Sequence, residues 1–278
     1  MKKPLLILVI LSFTYSFSYS QFAELGLTGG TSLYSGDLSP EEFGVYFQEL
    51  NPAFGLFGRF NISKPFSLRI GLTQGELTGD DTNVPARETV RGLSFRTAVT
   101  DIALTGEFNF LRIGDENGIQ IAPYITGGIA VFYFNPETEI DGEFIDLQPI
   151  GTEGQGLPGY EEPYGLAQAA IPVGGGLKFI FNNKFTVGFE FVGRRLFTDY
   201  LDDVSGREIN YLDVLEGNGE LAAQLSNPLI TNPDDADVVY QRGGKFNDWY
   251  YFGMVTLSFN LGEVGSFGGK GYGCPTNF

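Results

Sequence analysis

The chain has 278 residues and carries 17 Lys and Arg against 34 Asp and Glu, a formal net charge of −17. That balance argues against nucleic acid as a partner, because phosphate binding needs a basic surface. With 26 Phe, 14 Tyr and 39 Gly beside one Trp, one Cys and no His, the composition fits strands that face lipid on one side and close at tight turns.

The N-terminus reads as a targeting segment. Lys2 and Lys3 form a charged start, Pro4 to Leu11 an apolar run, and Ser18-Tyr19-Ser20 the stretch a signal peptidase reads. Residues 1–20 are therefore expected to leave as a signal peptide, cleaved before Gln21. The apolar run is too short to span a bilayer as a helix, and no Cys follows it to mark a lipoprotein. Nothing downstream is an apolar run of helical spanning length. If the chain enters a membrane, it must cross as a closed barrel.

The remainder alternates apolar and polar residues with the period of a strand. The first strand, near Phe22 to Tyr34, sets Ala23, Leu25, Leu27 and Leu33 against Glu24, Thr28 and Ser32. The second, near Ala53 to Ile62, sets Phe54, Leu56 and Phe60 against Arg59 and Asn61, and Ser63-Lys64-Pro65 turns the chain. The third, Phe66 to Thr78, sets Phe66, Leu68, Ile70 and Leu72 against Ser67, Arg69 and Thr73. The fourth, ending near Leu111, sets Ile102, Leu104, Phe108 and Phe110 against Asp101, Thr105, Glu107 and Asn109.

Gly114 to Gly118 is a turn. The fifth strand, Ile119 to Phe134, puts Ile125, Ile129 and Val131 on one face, with Pro123 expected near the membrane boundary or at a bulge. The sixth, near Ala170 to Phe181, sets Val173, Leu177 and Phe179 against Lys178. After Asn182-Asn183-Lys184 the seventh sets Val187, Phe189 and Phe191 against Glu190 and Arg194. The eighth, Trp249 to Leu261, sets Tyr251, Val255, Leu257, Phe259 and Leu261 against Thr256, Ser258 and Asn260.

The connections at 63–65, 112–118 and 182–184 are short, and those near 35–52, 79–92, 135–169 and 201–247 are long. Such alternation is the pattern of outer-membrane barrels, with tight periplasmic turns and long external loops. A soluble β-sandwich needs neither the alternation nor a Phe-rich face. The expected fold is all-β: an eight-stranded antiparallel transmembrane β-barrel with long extracellular loops and a periplasmic C-terminal tail. Its expected parts are the signal peptide 1–20, the barrel 21–261 and a Gly-rich tail 262–278, in the outer membrane of a Gram-negative bacterium.

The opposite faces place Glu24, Arg59, Arg69, Asp101, Glu107, Lys178, Glu190 and Arg194 in the lumen. An eight-stranded barrel is just wide enough for its own side chains. These acids and bases are expected to pair as a structural polar plug rather than to line a wide pore. Without His there is no Ser-His-Asp triad, Cys-His pair or His-ligated metal. No catalytic residue, cofactor or metal site is expected.

Gly151-Thr152-Glu153-Gly154-Gln155-Gly156 lacks the Lys-Ser/Thr ending of a phosphate loop and reads as a flexible loop. Asp199-Tyr200-Leu201-Asp202-Asp203 and Asp234-Asp235-Asp237 depart from calcium-loop spacing and read as solvated acidic loops. The lone Cys274 lies in the tail, in a compartment that permits disulfides, and is either an idle thiol or an intermolecular partner. Two other readings stay open. One is a surface-binding barrel acting through its acidic loops; the other is a small enzyme or narrow transporter using interior acids such as Glu107 and Glu190.

Several segments resemble the barrel family typified by PorG, an outer-membrane component of the type IX secretion system. They are Tyr34-Ser35-Gly36-Asp37-Leu38, Asn51-Pro52-Ala53-Phe54-Gly55, Pro149 to Gln155, Thr198-Asp199-Tyr200-Leu201-Asp202-Asp203-Val204-Ser205, and Arg242-Gly243 with Asp248-Trp249-Tyr250. The Thr198 to Ser205 run is the most specific. The resemblance implies a structural role: such barrels tie outer-membrane lipid to a periplasmic ring built from the lipoprotein PorK and its partner PorN. It makes Cys274 the candidate contact between the tail and that lipoprotein.

Overall fold

The computed structural model describes residues 22–40, 44–47, 49–83, 91–115, 117–231 and 237–263. The expected signal peptide, Asp234, Asp235 and the expected tail beyond Glu263, with Cys274, lie outside the described residues.

Eight long strands form the body: β1 (Phe22–Ser35), β2 (Asn51–Asn61), β3 (Phe66–Asp80), β4 (Ser94–Asn109), β5 (Ile119–Tyr133), β6 (Ala167–Phe181), β7 (Phe185–Leu196) and β8 (Trp249–Glu263). Each pairs antiparallel with the next, and β8 returns to β1, where Leu27 faces Leu257. The sheet is closed, so none of these strands presents an unpaired edge.

Tight turns join the strands at one end. Ser63 N and Ile62 N both bond to Phe66 O at 3.0 Å. Asn182 and Asn183 take φ values of 50° and 52°, a left-handed geometry that Asn tolerates better than most residues. Pro123 pairs with Leu177 near the turn end of β5, and its carbonyl accepts from Phe110 N at 3.1 Å.

Side chains divide as the strand period dictates. Leu27, Phe54, Ile129 and Leu261 are among the most exposed apolar residues, at 66, 66, 66 and 68%. Along this outward band no Asp, Glu, Lys or Arg stands among the described residues; charge returns at Glu76, Arg96 and Arg195, toward the long loops. A Phe belt rims the turn end, with Phe66–Phe108 and Phe185–Phe259 centroids each 5.0 Å apart. Trp249, Tyr251 and Phe191 stack toward the loop end. An uncharged apolar band between two aromatic girdles around a closed sheet belongs in lipid, not water. Among the described residues no helix is long and apolar enough to cross a membrane.

The strands run beyond the expected bounds at the loop end. Asp80 still pairs with Ser94, and strands of up to 16 residues exceed the roughly 9–11 that cross a bilayer. The excess forms a rim above the membrane. Inside it, Phe95, Val99, Phe132, Phe134, Tyr250 and Phe252 pack as an apolar core. β8 also continues through Glu263, past the expected end at Leu261.

The longest loop is folded as well. It holds α1 (Tyr211–Gly217) and α2 (Glu220–Ser226), with a ribbon pairing Glu208–Asn210 and Val239–Gln241. Asn210 Oδ1 caps α1 by accepting from Leu212 N at 2.8 Å. Ile209, Tyr211, Val214, Ala222 and Ala223 form a second small core.

Leu104 faces Ile70 in the middle of the outward band. Leu104→Arg is expected to lower folding free energy in lipid vesicles by about 2–4 kcal/mol. The same change at exposed Phe246, before β8, should leave it within about 0.5 kcal/mol.

Candidate functional site: a charge-balanced lumen beneath a folded loop cap

The eight charged residues singled out above all point into the barrel, in two layers. The layer nearer the short turns holds Glu24, Glu107 and Glu190 with Arg59, Arg69 and Lys178, three charges of each sign. Glu107 on β4 is its centre. Lys178 Nζ lies 2.5 Å from Glu107 Oε2, Arg59 Nη2 donates to Oε1 at 3.3 Å, and Arg69 Nη1 stands 3.8 Å away. Arg59 Nε is also 2.8 Å from Oε2, without hydrogen-bond geometry.

The remaining partners close the layer. Arg59 Nη1 donates to Glu24 at 2.7 Å, and Arg69 Nη1 to Glu190 at 2.6 Å. Neutral groups complete the acids: Asn61 and Ser258 donate to Glu24 at 2.6 and 2.7 Å, and Tyr124 donates to Glu190 at 2.6 Å. Arg69 also sits over the Phe57 ring at 4.0 Å, a cation–π contact out of water.

One level up, Arg194 meets Asp101 at 3.2 Å, and Tyr250 OH donates to Asp101 at 2.9 Å. A cavity of about 30 Å³ separates the layers, bordered by Thr73, Thr105 and Thr126. That is room for about one water. Above it the aromatic core fills the barrel.

The loops form a cap over this core, tied by two arginines: Arg91, which the sequence reading did not single out, and Arg242, which it named only within a family-like segment. Arg91 reaches from the β3–β4 loop. Its guanidinium holds Asp81 at 2.8 Å, donates to Asp37 O in the β1–β2 loop at 2.8 Å, and donates to Arg242 O. Arg242, in the β7–β8 loop, donates to Thr152 Oγ1 and Asp203 O, both at 2.7 Å, and lies 3.3 Å from Glu153. All four long loops are thereby linked.

Two expectations fail here. The segment 151–156 is a fixed turn rather than a flexible loop. Gly151, Gly154 and Gly156 take φ values of 69°, 77° and 85°, and Thr152 and Glu153 are buried. Glu153 accepts from Ser205 N and Oγ at 2.8 and 2.5 Å. Within 199–203, Asp202 and Asp203 are likewise not solvated, at 1% and 0% exposed, and Asp199 is half-buried. Asp203 accepts from Tyr164 OH and Thr152 Oγ1 at 2.7 and 2.5 Å, and Asp202 accepts from Tyr34 OH. Of the second acidic cluster, Asp237 accepts from Asn210 Nδ2 at 3.0 Å.

Burial sets the chemistry of these carboxyls. It pushes Glu153 up to about 7 against the pull of Arg242. It raises Asp203 against the same cation. Asp202 and Asp248 are pushed well above the usual carboxylate range, by burial first, and then by the charge of Asp37 for Asp202 and by the charges of Asp202 and Asp37 for Asp248. The cap therefore retains protons that an open cap would release. Among the described residues no group of three or more Asp, Glu, His or Cys is arranged to hold a metal ion. Each of the eight lumen charges lies against an opposite charge.

A family model described as "Domain of unknown function (DUF6089)" matches residues 2–223. Among curated proteins none matches the chain. Solved structures that resemble it include Neisserial surface protein A, at TM-score 0.41 and 5% identity over 87% of this chain and 98% of that one. Ail, the attachment invasion locus protein of Yersinia pestis, aligns at TM-score 0.38 and 10% identity over 87% and 100%. The N-terminal β-barrel domain of Pseudomonas aeruginosa OprF aligns at TM-score 0.34 and 11% identity over 86% and 97%.

Glu107→Ala strands buried cations and is expected to cost about 3–5 kcal/mol of folding free energy in vesicles, with part recovered in Glu107→Met combined with Lys178→Met. Arg242→Met should leave the barrel folded but make the loop region 198–248 protease-sensitive. The raised carboxyls fix the sign of a pH effect: their stabilisation is full below the ordinary carboxylate range and lost as pH rises through the folded value, about 7 for Glu153. Hydrogen exchange in the cap, corrected for intrinsic rates, should therefore be slower at about pH 5 than at about pH 8.

Proposed function

The chain belongs to the DUF6089 family, and from that premise we propose that it is a sealed outer-membrane barrel with a structural rather than catalytic or conducting role. In this reading it is a component of the type IX secretion machinery that holds a periplasmic lipoprotein ring of the PorK and PorN kind. The observation that carries the structural role is the lumen. It is closed by balanced ion pairs below and an aromatic core above, so the barrel offers surfaces rather than a passage.

Two features support this reading. The resemblance of the segments around Tyr34, Thr152, Asp202 and Arg242 to PorG-like barrels supports the machinery. Each short turn also exposes a cation, Lys64, Arg112 or Lys184, although the chain carries a net charge of −17. Against them the turns carry Asp115 and Glu116, so they keep a small net positive charge that suits an acidic partner face and steers its approach. Cys274 would add a disulfide to the lipoprotein, with the thiols of both partners oxidised by the disulfide-forming system of the periplasm.

Tagged protein extracted gently from outer membranes is expected to bring down the ring lipoprotein, and Lys64→Glu, Arg112→Glu and Lys184→Glu together to reduce that recovery. Absence of ring components, with secretion intact in a deletion strain, would contradict the proposal. For the covalent link, non-reducing gels should show a heavier species that disappears in Cys274→Ser. Its absence from wild-type membranes rules the disulfide out.

A further inference from the structure

We propose that a cleft in the loop cap binds a neutral saccharide. The inference is independent of the scaffold reading, since it concerns the opposite end of the barrel. The cleft has a volume of about 350 Å³, within the range of about 300–1,000 Å³ typical of small-molecule sites. The β5–β6 loop contributes Gln155, Tyr160 and Glu161, and the β7–β8 loop contributes Tyr200, Arg207 and Gln241. Arg242 clamps these two loops from beneath through Thr152 and Asp203. The walls are therefore set before a ligand arrives, which lowers the ordering cost of binding.

The aromatic groups are fixed. Tyr160 OH donates to Asp213 at 2.7 Å and accepts from Asn210 N at 3.2 Å. Tyr200 stacks on Tyr164 at 4.7 Å, and Tyr164 on Phe134 at 6.1 Å. This column carries the position of Tyr200 down to the core of the barrel.

The polar groups select the ligand. Gln155 is 6% exposed, and its Oε1 accepts from Glu153 N at 2.9 Å. Its Nε2 is buried with no hydrogen-bond partner, a state that native structures rarely leave unanswered. Glu161 pairs with Arg207 at 2.6 Å across the two loops, and Glu208 adds another carboxylate to the wall.

An anion entering here meets the exposed carboxylates of Glu161 and Glu208. An ammonium group brings donors but no acceptor for Gln155 Nε2. A hydroxyl is both donor and acceptor. It can accept from Gln155 Nε2 or Arg207 while its neighbour donates to Glu161 or Glu208, and the C–H face of a sugar ring can pack against tyrosine. A neutral, polyhydroxylated ring is the ligand class that fits.

The test uses full-length protein in detergent micelles on an array of neutral oligosaccharides, their sulfated and sialylated counterparts, and delipidated surface polysaccharide from the same bacterium. Neutral glycans should be retained and the charged counterparts should not; which neutral features are retained assigns the source. Gln155→Leu and Arg207→Ala should each weaken retention by about tenfold, the scale of one lost hydrogen bond, with the heat-dependent gel mobility of the barrel unchanged. Arg207 lies on the exposed rim, so its variant decides the matter if Gln155→Leu disturbs the cap. No neutral glycan retained by the wild type, retention of the charged counterparts instead, or retention unchanged in Arg207→Ala would each overturn the proposal.

Discussion

Glu107 faces Arg59, Arg69 and Lys178 from one buried position, and the cavity bordered by Arg69 and Glu190 has room for about one water. Charges in so dry a space must be neutralised locally, because desolvation otherwise exceeds any gain from folding. The four residues come from β4, β2, β3 and β6, so their contacts cross the lumen rather than follow one strand pair. A slip of one residue in any of these strands would turn its charge out to lipid and leave partners stranded. The ion pairs are thus a registry device as much as a plug. They also explain why the outward band can be apolar throughout: every ionised group of the spanning region has a place inside.

The barrel was legible in the sequence because its rule is local. In Leu68-Arg69-Ile70 the period of two separates lipid from lumen without any knowledge of partners. The cap was not legible, because its order depends on distant residues. Asp202 and Asp203 look solvated beside Asp199, yet their burial depends on Arg242, Tyr164 and Tyr34 elsewhere in the chain. The Gly-rich run at 151–156 looks flexible, yet its glycines supply the left-handed backbone of a turn fixed by Ser205 and Arg242. The helices α1 and α2 have 7 residues each, too few to show a helical period above the noise of a polar loop. Which acid in the lumen would pair with which base was equally unreadable, since nothing local ties Lys178 to Glu107.

The segments that carry the resemblance to PorG-like barrels are scattered along the chain, and most of them meet in the cap. Tyr34 bonds Asp202, Thr152 bonds Asp203, and Arg242 joins both loops to Glu153. Asp248 accepts from Leu201 N at 3.0 Å. Together they fold the long loops into one body. The molecule therefore has two distinct ends on a sealed barrel: short turns that expose Lys64, Arg112 and Lys184 on one side, and a proton-retaining, hydrogen-bonded cap on the other. The sequence alone suggests solvated acidic loops here; the structure buries Asp202 and Asp203.

The central claim is that the barrel is closed. Purified protein reconstituted into a planar bilayer, with voltage applied across it, tests this most directly. The structure predicts that current stays at the level of the protein-free bilayer. A steady, ion-selective conductance that scales with the amount of inserted protein would contradict it.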